Sequence, residues 1–317
     1  MNYATYLQLT YPITKKILLS STIRLDVNNT NQDLSYTYYD MSPNTYLNDI
    51  KDKDLIGGSI KINHHYTKSL TFNYSLSRGY KTSGINQTQY PGFNEDLRIY
   101  NTEYCNNIDF GMTYNNNRYN IKLSTFYMHR DNPQLRLSHQ YDLLDPTSFD
   151  YATYNADFAF HYGLETYVTI KISDFLILSQ SISLLNTYVS KFEYLSTSYG
   201  NRELSHAPNK QYSFGLIYDF SKYIDGLKLN IETNYIGNFY FEEQNNARSN
   251  PYKLIDVSLK YKFQNIQISL WGKNINNEKY AIRSYTFGLE PTGLIKNYKS
   301  FGDPRTLGIT LAFNLSH

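Results

Sequence analysis

Two adjacent histidines, His64 and His65, are the first residues in this chain whose type suggests metal chemistry. Their spacing argues against it, because neighbouring side chains on a strand project to opposite faces and cannot share an ion without a bulge. Glu242-Glu243 sits in a polar stretch and could meet a cationic or metal-bearing ligand, although solvated loop charges are the plainer reading. Arg78, Tyr80 and Lys81 lie where a strand runs out into a long connection. They could meet an anionic ligand, or they could fix register and girdle the strand end. Asp303-Pro304-Arg305 reads as a turn that opens a strand, with Arg305 at its rim. Tyr36, Tyr38, Tyr39, Tyr90, Tyr194 and Tyr199 fall in polar connections, where amphipathic rings suit recognition and also suit packing. The expectation for ligand contact therefore rests on Arg78, Tyr80, Lys81, Tyr90, Tyr194 and Tyr199. There is no Gly-x-Ser-x-Gly, His-Glu-x-x-His, phosphate loop or cysteine pair. No catalytic residue, metal ligand or cofactor is expected, and the chain is read as a non-enzyme.

Composition narrows the class. The 317 residues carry 30 Lys and Arg against 28 Asp and Glu, a net charge of +2 that makes no case for a nucleic-acid partner. The single cysteine, Cys105, excludes an internal disulfide and a cysteine-based zinc site. Mean hydropathy is −0.54, and no apolar run approaches the roughly 20 residues that cross a bilayer as a helix. A transmembrane β-barrel escapes this measure, because only alternate residues meet lipid. The 34 tyrosines suit both strands and membrane interfaces. Residues 1–7 lack the basic start and apolar core of a signal peptide, and Tyr3, Leu7, Leu9 and Tyr11 already share one face of a strand. An exported chain that opens inside a strand is expected to be a fragment.

The elements that must position these residues show a period of two. Leu307, Ile309, Leu311, Phe313 and Leu315 share one face, with Gly308, Thr310, Ala312 and Asn314 on the other. Leu227, Leu229, Ile231 and Tyr235 alternate with Lys228, Asn230, Glu232 and Asn234. About 13 such segments appear, most near the 9–11 residues that a tilted crossing requires. Short turns fall at 12–16, 66–69, 115–118, 173–174, 221–226 and 264–265, and long links near 28–55, 79–99, 130–155, 190–210, 237–251 and 276–304. Short and long alternate throughout, which gathers every long link at one end, as in outer-membrane barrels. The expected fold is all-β: an antiparallel up-and-down transmembrane barrel meander of about 13 strands, with no helix beyond a loop turn. The odd residues from Leu307 to Leu315 are expected to face lipid, and the C-terminus to lie at the short-turn end.

Several segments resemble one family. Ser77-Arg78-Gly79-Tyr80-Lys81-Thr82-Ser83-Gly84-Ile85-Asn86 resembles an "RGYKxGGxN" signature, and Phe93-Asn94-Glu95 with Tyr100-Asn101-Thr102-Glu103-Tyr104 resembles its continuation. Ser124 to Gln134 resembles an "FY-x-x-Y-x-D-x-Q" strand and loop. Trp271-Gly272-Lys273-Asn274-Ile275-Asn276-Asn277-Glu278-Lys279-Tyr280 resembles "V-x-N-L-F-D-x-x-Y", and Gly302-Asp303-Pro304-Arg305-Thr306-Leu307-Gly308 resembles a closing "G-x-P-R-x-x-G". In order and spacing these are similar to the C-terminal barrel portion of the TonB-dependent receptors of Gram-negative outer membranes.

The resemblance implies one barrel domain over residues 1–317, part of a barrel of about 22 strands, with the family's plug domain absent. It implies active uptake of a scarce nutrient, such as a ferric siderophore, cobalamin or a glycan, at the Gram-negative outer membrane with a periplasmic C-terminus. The implied partners are outer-membrane lipid, the barrel-assembly machinery and a small nutrient ligand. The TonB energy-coupling system would act only through a plug segment missing from these residues, so the chain alone is not expected to transport actively. The family usually ends on an aromatic residue, whereas here Phe313 is followed by Asn314-Leu315-Ser316-His317. The competing readings are a passive porin or structural outer-membrane barrel, and an inert truncated product. The ligand is not legible in the sequence.

Overall fold

The structure, a computed structural model, describes residues 2–36, 44–86, 98–140, 145, 149–288 and 294–313. Thirteen strands form one sheet: β1 (Asn2–Pro12), β2 (Ile17–Tyr36), β3 (Asn44–His65), β4 (Leu70–Lys81), β7 (Glu103–Asn115), β8 (Tyr119–Asp131), β11 (Phe158–Lys171), β12 (Leu176–Val189), β15 (Lys210–Asp219), β16 (Leu227–Ile236), β17 (Tyr252–Phe263), β18 (Ile266–Lys273) and β21 (Thr306–Phe313). Four small hairpins sit in the connections: β5 (Gly84–Ile85) with β6 (Ile99–Tyr100), β9 (Gln134–Gln140) with β10 (Phe149–Asn155), β13 (Phe192–Tyr194) with β14 (Thr197–Tyr199), and β19 (Ala281–Gly288) with β20 (Ile295–Phe301). Every large-sheet strand pairs antiparallel with its neighbours in chain order. The expected meander of 13 strands is what forms, and among the described residues there is no helix.

Register turns the two-residue period into a continuous face. Leu178 lies opposite Leu216, Leu216 opposite Ile231, and Ile231 opposite Val257. Leu229, Leu259, Leu270 and Ile309 form the next row. At the other edge, Tyr11, Leu19, Ile62, Tyr74 and Phe110 run across five strands. The opposite face carries rows such as Asn73, Gly111, Ser124, Glu165 and Ser183. A one-residue slip anywhere would exchange the two faces, so the apolar pattern itself specifies the register. β1 and β21 end the strand order and are not paired with each other among the described residues.

The six short turns are tight. Between β15 and β16, Gly226 has φ 76°, and a Cβ there would meet the Lys262 carbonyl oxygen at 2.0 Å. Between β17 and β18 the chain reverses through Gln264 at φ 50°.

The opposite end corrects the expectation of long loops. β2 and β3 stay paired as far as Tyr36 opposite Asn44, so most of 28–55 is ribbon. The links near 79–99, 130–155, 190–210 and 276–304 contain the four hairpins. Continued pairing satisfies backbone donors and acceptors without any apolar alternation, so the sequence signal stops before the strands do. The buried apolar cluster also lies at this end. Leu135, Leu137, Ala152, Ala156, Ala159, Val189, Phe192, Tyr194 and Leu204 pack together, drawn from β9, β10, β13, the adjoining links and the tips of β11 and β12.

Candidate ligand site at the hairpin end

The hairpin end is fastened to the sheet by a buried charge cluster. Glu103, at the start of β7, accepts from Arg130 Nε at 2.6 Å and Nη2 at 2.9 Å, and from the Gln134 backbone N–H at 2.8 Å. Gln134 Nε2 in turn donates to the carbonyls of Thr82 and Asn101. Bidentate Arg–carboxylate bonding is strong and directional. Three chain segments thus meet at one point, and each is among those that carried the resemblance. A similar role falls to Asn274, with φ 47° and 4% exposure. Its side chain donates to the Glu278 and Asp303 carbonyls and accepts from the Glu278 N–H, tying the β18 end to the start of β21.

The sequence-derived candidates are spread over this end. Arg78 stacks on Tyr104 at 4.3 Å and donates to Asn106 Oδ1 at 3.4 Å. The Tyr80 hydroxyl donates to Asp26, which also holds Arg24, and its ring lies against Gly57. Lys81 is exposed and opposite Glu103 in register. Tyr194 is 2% exposed in the hairpin core, with its ring 5.9 Å from Tyr154, and Tyr199 packs 5.8 Å from Phe192. Tyr90 and Leu315 lie outside the described residues, as do Tyr38 and Tyr39. His64 and His65 part as their spacing requires: His64 sits beside Tyr66 and Phe72, while His65 meets Thr71 Oγ1 at 3.1 Å. Arg305 N–H donates to Asn277 Oδ1, closing the turn that opens β21. Among the described residues no group of His, Cys, Asp and Glu could hold a metal ion.

Three connections line an open cavity of about 670 Å³. β9 and β10 contribute Arg136, Leu137, Ser138 and Tyr151; the link 237–251 contributes Glu242, Glu243 and Gln244; β19 contributes Arg283, Tyr285 and Thr286. A smaller cavity of about 320 Å³ shares Glu242, Arg283 and Tyr285. The Gln244 side-chain amide pairs with the Ser138 backbone in both directions, at 2.5 and 2.6 Å, as a strand neighbour would. The link is braced further by Tyr240, whose ring lies between Arg202 at 4.2 Å and Arg248 at 4.1 Å.

The charges in this cavity are unevenly satisfied. Glu243 Oε1 accepts from the Ser205 N–H and hydroxyl, and Glu242 accepts from Asn245. Burial pushes the Glu242 carboxyl above the usual carboxylate range, partly offset by the Asn245 bond. Arg136 lies 4.9 Å above the Tyr151 ring, and neither Arg136 nor Arg283 forms an ion pair among the described residues. Two guanidiniums without a carboxylate partner among the described residues, in a cavity that Tyr151 and Tyr285 also line, can bind a planar or bidentate anion. Sequence reasoning missed Arg136, Tyr151, Arg283 and Tyr285. No local motif marks them, and only the hairpins bring positions so distant in sequence together.

Solved structures show the same fold. The ferric yersiniabactin uptake receptor FyuA from Yersinia pestis superposes with a TM-score of 0.81 at 18% identity, over 98% of this chain and 45% of that one. The siderophore receptor PiuA from Acinetobacter baumannii matches at 0.75 and 16%, over 98% and 43%. The copper transporter OprC matches at 0.73 and 16%, over 98% and 47%. The chain spans less than half the length of these relatives. Their cargoes differ while their folds agree, so the fold does not choose a ligand. Residues 1–275 match the family described as TonB dependent receptor-like, beta-barrel, and the chain belongs to that family.

Proposed function

We propose that this chain forms barrel wall and ligand-capturing surface of an outer-membrane receptor that takes up an anionic small nutrient, a ferric siderophore foremost. The observation that carries the reading is the hairpin-end cavity, where Arg136 and Arg283 have no carboxylate partner among the described residues and line one wall with Tyr151 and Tyr285, while Glu242 and Glu243 are held by Asn245 and Ser205. The apolar face, including Leu307, Ile309, Leu311 and Phe313, meets outer-membrane lipid, and the opposite face lines the lumen. The short turns and the C-terminus lie in the periplasm, and the barrel-assembly machinery inserts the strands. Energy reaches the barrel from the TonB system through a plug segment. Among the sequence-derived candidates, Arg78 and Lys81 are exposed cations that extend the anion-attracting rim, and Tyr80, Tyr194 and Tyr199 support it.

Calorimetric titration of the folded protein with ferric catecholate and ferric citrate chelates tests this. Micromolar or tighter binding is expected, weakened at least about tenfold by Arg136→Ala with Arg283→Ala, since bonds to charged groups contribute about 1.5–3 kcal/mol each. Binding of a neutral glycan alone, or chelate binding indifferent to both substitutions, contradicts the ligand class. Ion conductance in planar bilayers with no ligand binding favours a passive porin. Uptake in cells that also supply a plug segment should vanish when TonB is deleted.

A further inference from the structure

The short-turn end carries a charge asymmetry that the uptake reading does not use. The six turns, with two strand residues on either side, hold eight basic residues against three acidic ones. The rest of the chain holds 22 basic against 25 acidic. Two of the three acids are already neutralised, Asp174 by Lys171 at 2.7 Å and Asp219 by Lys228 at 2.9 Å. Lys15, Lys16, Lys68, Arg118, Lys222 and Lys262 are exposed and have no carboxylate partner among the described residues.

Aromatic rings lie among these cations. Tyr66 is 55% exposed, Tyr223 71% and Phe263 57%. Lys222 lies 5.9 Å from the Tyr223 ring, Arg118 lies 5.6 Å from Tyr119, and Lys16 Nζ donates to the Tyr66 carbonyl at 3.1 Å. Tyrosine rings favour headgroup depth, and lysine stems reach from apolar surface to the polar layer. The collar continues the apolar face without a gap: Phe263 lies opposite Ile266, and Ile266 opposite Phe313.

From these observations we infer that the short-turn end is a binding collar for anionic phospholipid headgroups, of the phosphatidylglycerol class, in the leaflet it faces. The inference rests on the outer-membrane placement proposed above. Charge complementarity selects the occupant: six cations with no carboxylate partner among the described residues, all at the short-turn end, meet a surface of phosphates, and clustered basic residues beside membrane-embedded apolar surface attract anionic lipid. Each phosphate accepts hydrogen bonds from an ammonium or guanidinium, while the aromatic rings hold the collar at headgroup depth.

The test uses the folded protein in phosphatidylcholine bilayers doped with headgroup-matched, chain-spin-labelled lipids. Wild type is expected to prefer phosphatidylglycerol over phosphatidylcholine at its surface by about three- to tenfold. Molar salt should remove most of that preference, because exposed charges are screened. The variant Lys15→Gln, Lys68→Gln, Lys222→Gln, Lys262→Gln should lose most of it. A matched variant at the hairpin end, Lys210→Gln, Lys253→Gln, Lys273→Gln, Arg305→Gln, should keep it. No preference in wild type, or equal loss in both variants, overturns the collar. So does an unchanged lipid preference in the turn variant combined with lost binding of a poly-glutamate peptide, which assigns the cations to a protein partner. Protein that floats with vesicles of neither composition contradicts the membrane placement itself and the collar with it.

Discussion

The sheet and the hairpins that cap it bury their apolar surface in opposite ways. Ile309, on the sheet, is 73% exposed, whereas Leu137, in a hairpin, is 1% exposed. In an ordinary soluble domain the sheet would supply the core and the connections would be solvated. Here the large sheet leaves one whole face uncovered, and the connections build the compact cluster around Leu137, Val189 and Tyr194. Two solvents explain the difference. A wall in lipid needs no protein core, because hydrocarbon covers its apolar rows. Segments that stand in water must bury their own apolar side chains. Residues of one type, such as Tyr194 in the hairpin core and Tyr212 on the sheet, therefore do different work according to which solvent surrounds them.

The largest expected effect falls where the two regions are joined. Glu103→Ala strands Arg130 in a half-buried site and releases Gln134. Removing one partner of a buried pair costs about 3–5 kcal/mol. The hairpins should become protease-sensitive while the sheet stays inserted; a uniform loss of both would show that the regions do not differ as described. Within the wall, Ile309→Arg should cost about 2–4 kcal/mol near the bilayer midplane, and Thr310→Arg much less. Thr310 lies on the opposite face, where its hydroxyl oxygen accepts from Trp271 Nε1 at 3.0 Å. Equal costs in a vesicle folding assay would remove the distinction between faces.

Within the hairpin core, Leu137→Ala should cost about 2–5 kcal/mol, read as local hydrogen exchange in β9 and β10 with no change in insertion. Slower insertion instead would mean that the cluster belongs to the wall. The smallest effect concerns Glu242. Burial raises its carboxyl, so its contribution to local stability is present in acid and lost as pH rises through the raised value. Glu242→Gln should therefore protect the link at neutral pH and change nothing in acid. Protection that is independent of pH would argue against burial as the cause.

The wall was legible because lipid imposes a strict period. Leu227, Leu229 and Ile231 against Lys228, Asn230 and Glu232 leave one strand register and no helix. Gly226 and Gln264 sit at the tight reversals that complete the pattern. The hairpin end was read as loops because water imposes no alternation on a ribbon that is held by backbone pairing. Within the Arg78–Lys81 segment the sequence identified a strand end but not the stacking on Tyr104 or the bond to Asp26. Tyr194 read only as a connection ring suited to recognition or packing, because its partner, Tyr154, lies on another hairpin. The cavity was invisible for the same reason: Arg136 and Arg283 come together only after β9 and β19 have formed.

The most direct test of the central claim, that one face of the sheet meets lipid and the other water, is site-directed spin labelling along β16 in bilayers, with Cys105 replaced by serine. Nitroxides placed singly at Leu229, Asn230, Ile231 and Glu232 should alternate. Positions 229 and 231 should respond to membrane-dissolved oxygen, and positions 230 and 232 to a water-soluble nickel chelate. Four labels with the same accessibility, or an alternation of the opposite phase, would contradict the account.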